Sequence, residues 1–129
     1  MSAETCLVTA IMDLIILKRV LSELEMQYKS MSTMTTGDGK VYNVDVVIKD
    51  PLGRLVGLVK AEKGAYQFIA DSLGLTKDEL KQQQNFINKI KQKYAYNIVV
   101  DKLKKEGYVI AEEEKVQNNT IRLVARKWS

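Results

Sequence analysis

A chain of 129 residues, 46% apolar and 28% charged, has the size and composition of one compact domain rather than of a disordered segment. Its formal net charge of +4 favours acidic partners without requiring nucleic acid. With no histidine and a single cysteine, it excludes the usual zinc sites, the serine–histidine and cysteine–histidine nucleophile systems, a histidine pH switch and an intramolecular disulfide.

The first residues, Met1-Ser2-Ala3-Glu4, lack the basic start of a signal peptide. No apolar run approaches about 18 residues, so no membrane span is expected. Thr5 to Ile11 reads as a strand, with Cys6 a buried structural thiol in the run Cys6-Leu7-Val8. Asp13 is placed to cap a helix in which Leu17, Val20, Leu21 and Leu24 recur at i, i+3, i+4, i+7. Tyr28 to Met34 is a polar, half-exposed strand, closed by the turn Thr36-Gly37-Asp38-Gly39, whose two glycines suit positive φ.

Val41 to Lys49 is the clearest strand, with Tyr42, Val44, Val46 and Ile48 on one face. Asp50-Pro51-Leu52-Gly53 is a turn, because proline fixes φ at its second position. Leu55 to Lys60 and Tyr66 to Ala70 complete an antiparallel meander, joined through Glu62-Lys63-Gly64. Thr76 and Glu79 have capping-box spacing and open a long helical stretch. Within it Leu80, Ile87, Ile90 and Tyr94 define one face, and Tyr96, Val99, Val100 and Leu103 a nearly opposite one. A break or bend at Tyr94 to Asn97 is therefore expected. Gly107 ends the helix, and Tyr108 to Glu113 pairs with Thr120 to Trp128 around Asn118-Asn119.

The expected architecture is α+β over residues 1–129 as a single domain: a mostly antiparallel sheet with helices on one face. The run Leu17, Val20, Leu21, Leu24, Tyr28 parallels Tyr96, Val99, Val100, Leu103, Tyr108, and this suggests two βαββ-like repeats.

Candidate binding residues are few. Lysines at 77, 81, 89, 91, 93, 102, 104 and 105 outnumber the acids of the same stretch, and Lys89, Lys91 and Lys93 form its centre. They suit an anionic partner, whether nucleic acid, an acidic membrane surface or an acidic protein, although a solvated helix face has the same composition. Tyr94 and Tyr96 point to different sides of a helix, so one can be core and the other, Tyr96, a binding anchor, although burial of both across the bend is the favoured reading. On the terminal hairpin, Glu112, Glu113 and Glu114 face Arg122, Arg126 and Lys127 as cross-strand charge pairs or an interaction edge. Trp128 either pins the last strand or anchors a partner. Asp45, Asp50, Asp71 and Glu79 are the carboxylates open to acid–base work, and no spacing makes any two a required pair. No catalytic, cofactor-binding or metal-ligating residue is assigned.

Several of these stretches resemble the hypothetical chloroplast reading frame thirty-five family of cyanobacteria and algal plastids. The matching pieces are Asp45-Val46-Val47-Ile48, Tyr66 with Ile69-Ala70-Asp71, and Gln92-Lys93-Tyr94-Ala95-Tyr96. The closing third adds Gly107-Tyr108, Glu112-Glu113-Glu114, Thr120-Ile121-Arg122-Leu123-Val124 and Arg126-Lys127-Trp128-Ser129. Two departures stand out: Ser72-Leu73 where the family tends to have aromatics, and Ala3-Glu4 where it often has His-Phe. The family has no established activity, so the resemblance implies a setting and no catalytic residue. That setting is a plastid stroma or cyanobacterial cytoplasm, with the thylakoid surface nearby. The expected role is a non-enzymatic accessory protein docking on a larger assembly linked to photosynthesis or its biogenesis. The alternative is a nucleic-acid-binding module using the lysine-rich helices of residues 77–106.

Overall fold

A computed structural model of the chain describes residues 2–6, 10–61, 64–115 and 120–127. The α+β class is as expected, and every strand pairing is antiparallel. The strands fall into two sheets, and the chain divides into two compact units that each hold one of them. Residues 10–87 form one unit; residues 1–9 with 88–129 form the other.

In the first unit, helix α1 (Leu14–Glu23) starts at Asp13, whose carboxylate accepts from the backbone N–H groups of Ile15 (2.9 Å) and Ile16 (3.2 Å). This is the cap expected there, and it satisfies two donors that have no helical acceptor. Leu17, Val20 and Leu21 are fully buried, as their spacing requires. At the other end Met26 N–H donates to Leu21 and Glu25 N–H to Ser22, a Schellman closure that forces Glu25 to a left-handed φ of 57°.

Strands β2 (Tyr28–Thr35), β3 (Val41–Lys49), β4 (Leu55–Lys60) and β5 (Tyr66–Ala70) follow as a meander in the order β2-β3-β4-β5. In the β2–β3 turn only Gly39 takes positive φ, at 85°; Gly37 does not, contrary to expectation. Ile11, expected to end a strand from Thr5, makes an isolated bridge to Tyr66 of β5 instead.

The sheet is strongly bent. Strand β3 pairs with β2 from Val41 to Ile48, but with β4 only through Val46 to Lys49. Its first half therefore leaves the plane of β4, and the β2–β3 hairpin folds across the face of β4 and β5. Met34, Val44 and Val47 form the buried centre of that crossing, packed with Tyr42, Leu55, Val59 and Ile69. The opposite face carries Val46, Ile48, Val56 and Leu58, all no more than 2% exposed. Burial on both faces explains why Val47 is enclosed although strict alternation from Val46 assigns it outward.

Helix α2 (Lys77–Lys105) begins in the first unit and continues into the second. Thr76 and Glu79 form the expected capping box: Thr76 N–H donates to the Glu79 carboxylate (3.1 Å), and Glu79 N–H to the Thr76 hydroxyl (3.2 Å). No break occurs at Tyr94 to Asn97; the helix is continuous through both apolar stripes. From Ile90 to Val100 it is enclosed on more than one side, with Ile90, Gln92, Tyr94, Ala95, Asn97 and Val100 all buried. A helix sequestered around its circumference has no need to bend in order to bury two faces. Leu80, assigned to the first stripe, is instead 42% exposed. Gly107, at φ 86°, ends the helix as expected.

In the second unit β1 (Ser2–Cys6), β6 (Tyr108–Lys115) and β7 (Thr120–Lys127) form a sheet ordered β1-β7-β6. A register shift interrupts β6 against β7 between Ile110 and Glu112. Each sheet thus carries one helix–hairpin unit, α1–β2–β3 or α2–β6–β7, within otherwise different surroundings.

Candidate functional site

The densest polar cluster of the described residues is built from turn chemistry. Asp50 precedes Pro51, and its carboxylate Oδ1 accepts from Leu52 N–H (2.9 Å) and Arg54 N–H (2.8 Å), which organises the β3–β4 turn. Its Oδ2 accepts from the amide of Gln83 at 2.9 Å. Gln83, 3% exposed on α2, also donates to the Asp71 carbonyl (3.1 Å) and accepts from the Ser72 hydroxyl (2.6 Å). Asp71 Oδ1 accepts from Gly37 N–H at 3.1 Å and lies 3.6 Å from the Arg54 guanidinium.

Four segments converge on this cluster: the β2–β3 tip, the β3–β4 turn, the β5–α2 connection and the second turn of α2. The carboxylates, hydroxyl and amide resemble the inventory of a catalytic site. Many of their polar atoms bond backbone or one another, a part-buried network that fixes the geometry of the turns. Glu79, another of the carboxylates open to acid–base work by composition, is held below the ordinary carboxylate range by the Thr76 backbone N–H and then by the Thr76 hydroxyl. Asp38, in the β2–β3 turn, is lowered by the Thr36 hydroxyl and the Lys40 N–H.

Several large apolar side chains of the described residues are left exposed. Leu73 is 57% exposed and lies against Gly37, where a side chain would meet its Cδ2 at 3.0 Å. Val41, which follows the β2–β3 turn, and Leu80, one turn before Gln83, are exposed as well. Ile15 and Met12 are exposed at the start of α1.

The residues singled out in the sequence do not assemble into one site. Tyr96 is half-buried, packed with Val99 and Leu103 on Ala95, and Lys93 Nζ stands 5.1 Å from its ring centroid, a cation–π distance. Lys89 is exposed, whereas Lys91 and Lys93 are half-buried. At 100° per residue Lys91 points away from the side shared by Lys89 and Lys93, so the three lysines do not make one basic face. On the terminal hairpin Glu114 is in register with Arg122, which on its other side is in register with Glu4 of β1. Glu112 and Glu113 are opposite Val124 and Leu123, and Arg126 and Lys127 are opposite Val109 and Tyr108. Of these charged residues of the hairpin, Glu114 and Arg122 are the pair in register with each other. Trp128 lies outside the described residues.

Among the described residues no helix is long and apolar enough to cross a membrane. The model of a family described as "Protein of unknown function (DUF1257)" matches residues 20–124. A protein of Pyropia yezoensis named "Uncharacterized protein ycf35" is 28% identical over 100% of this chain and 99% of its own length. Its namesake in Cyanophora paradoxa is 30% identical over 99% of this chain and 98% of its own. That of Trieres chinensis is 30% identical over 84% of each. No solved structure matches the chain.

Proposed function

We propose that this chain, which belongs to the DUF1257 family, is a non-enzymatic accessory protein that docks on a larger protein assembly. The observation that carries the reading is the contrast between its inner and outer chemistry. Asp50, Asp71, Ser72 and Gln83 are spent on pinning four segments together. Outside that cluster, Val41, Leu73 and Leu80 are left in solvent. Hydrogen-bonded loops with exposed apolar side chains nearby suit a surface that holds a partner.

The setting we propose is the plastid or the cyanobacterial cytoplasm, in its finest form beside the thylakoid surface and linked to photosynthesis or its biogenesis. Support comes from the chloroplast reading-frame name that the algal relatives carry. Affinity isolation at native expression, read by mass spectrometry, tests the reading. The same assembly proteins should be recovered repeatedly and lost with Leu73→Ser, which leaves the polar cluster intact. Recovery of the chain always free, or turnover of a substrate abolished by one acidic substitution, would sink it.

A further inference from the structure

Asp38 is the one aspartate of the chain that is followed by glycine. Such a pair carries a reaction of its own. The Gly39 backbone nitrogen can attack the side-chain carbon Cγ of Asp38, because no side chain on residue 39 obstructs the approach and glycine adopts the backbone angles it requires. A nitrogen–Cγ bond forms, a Cγ–O bond breaks, and water leaves with the carboxyl OH and the Gly39 amide proton. Water then adds back to the cyclic imide. Opening at the backbone carbonyl leaves isoaspartate, whose main chain runs through Cβ and Cγ and is longer by one methylene group. Water is the sole co-reactant.

The β2–β3 turn both exposes this pair and restrains it. Asp38, Gly39 and Lys40 are exposed. Each reacting group is nevertheless engaged. Gly39 N–H donates to the Thr36 carbonyl at 2.9 Å, so the nucleophile must first give up a turn bond. Asp38 Oδ1 accepts from the Thr36 hydroxyl and, at 3.2 Å, from Lys40 N–H. The other acceptor for that hydroxyl, the Lys40 carbonyl, is 3.4 Å away. Donors to a carboxylate favour its ionised form, and Asp38 is held below the ordinary carboxylate range, by the Thr36 hydroxyl first. Ionisation opposes the reaction, since a carboxylate has no OH to release as water. A donor also polarises a neutral carboxyl, but here it acts on a form that it makes rarer. Thr36 thus supplies both restraints, one through its carbonyl and one through its hydroxyl.

We propose that Asp38–Gly39 is a site of spontaneous rearrangement to isoaspartate, and that the Thr36 hydroxyl holds the reaction back. The added methylene falls inside the turn closed by Thr36 and Lys40, where Thr36 N–H donates to the Lys40 carbonyl at 3.0 Å. It also falls beside Gly37, whose N–H donates to Asp71 at 3.1 Å. Rearrangement therefore loosens the closing pair and the link from the hairpin tip to the β5–α2 connection. Asp71, followed by Ser72, is the internal comparison: a side chain there hinders the attack.

Ageing the full chain in neutral buffer at physiological temperature tests this. Isoaspartate is read in the tryptic peptide Ser30–Lys40 by electron-transfer fragmentation, and heavy-oxygen water marks passage through the imide. Folded wild type should rearrange several-fold more slowly than the same chain in guanidinium. Thr36→Val, of like shape without the hydroxyl, should rearrange several-fold faster than wild type when folded and at the same rate when denatured. Thr36→Ser keeps the donor and should stay near wild type. Equal rates for folded wild type and folded Thr36→Val overturn the proposal, as does isoaspartate that gathers at Asp71 instead of Asp38, or at neither. If the valine variant fails to fold, wild type alone decides: a folded chain that rearranges as fast as the denatured one has no restraint.

Discussion

Gly57 stands where the bent β2–β3 hairpin crosses β4, and a Cβ there would meet Val44 Cγ1 at 2.6 Å and Met34 Sδ at 3.0 Å. Met34 is flexible and can yield; Val44 is β-branched on a strand and cannot easily do so. Replacing a strand glycine by alanine normally gains about 0.4–1 kcal/mol by restricting the unfolded chain. Overpacking a core costs about 1–3 kcal/mol, so the clash wins. Gly57→Ala is expected to lower the urea midpoint at unchanged slope, and a Val44→Ala background should recover most of the loss. Local chemistry of this kind is only partly legible in a sequence. Asp13, Thr76 and Gly107 were readable as caps because each acts on backbone within four residues of itself. The need for Gly57 was not legible, since its reason lies on Val44 and Met34 and depends on β3 leaving β4 halfway.

Helix α2 shows the same limit one level up. Its capping box and its glycine stop were visible as spacing, and its two apolar stripes are largely covered apart from Leu80, yet their opposition implied a break that the structure does not contain. Periodicity records which residues are buried, not how many sides of a helix are covered at once, and Gln92 and Asn97 are buried alongside Tyr94 and Ala95. The link from Gln83 to Asp50 was equally hidden, because it joins residues 33 apart through a turn and a helix. At the start of the helix the chemistry is titratable. Glu79 has its folded-state pKa depressed, so its contribution is fully present above the unfolded value and is lost as pH falls through the folded one. Acidification below the ordinary glutamate range should fray the first turn of α2 before the sheets unfold. Thr76→Ala, which removes the hydroxyl partner and costs about 0.5–2 kcal/mol as a lost cap, should raise the Glu79 pKa toward ordinary. Carboxyl titration by NMR reads both; a Glu79 pKa indifferent to Thr76→Ala would break the argument.

On the scale of the molecule, the sequence suggested one domain, and the chain forms two compact units that share a helix. Sharing matters for cooperativity. A helix is costly to nucleate and cheap to extend, so melting half of α2 at Ile87 while keeping the other half forfeits backbone bonds on both sides of the junction. We propose on this ground that the chain unfolds as one unit. The second unit is also closed by the chain's first strand, since β1 pairs with the last strand, β7, through five residues from Ser2 to Cys6. Without β1 that sheet is a two-stranded hairpin, which is marginal by itself in water. Removing residues 1–9 is therefore a perturbation at one end whose reach measures the coupling. If the units unfold together, hydrogen-exchange protection should fall by the same factor in β3 and β4 as in β6 and β7, and thermal unfolding should shift as a single transition. Loss of protection confined to residues 108–127, with β3 and β4 unchanged, would mean that α2 joins two domains that fold apart.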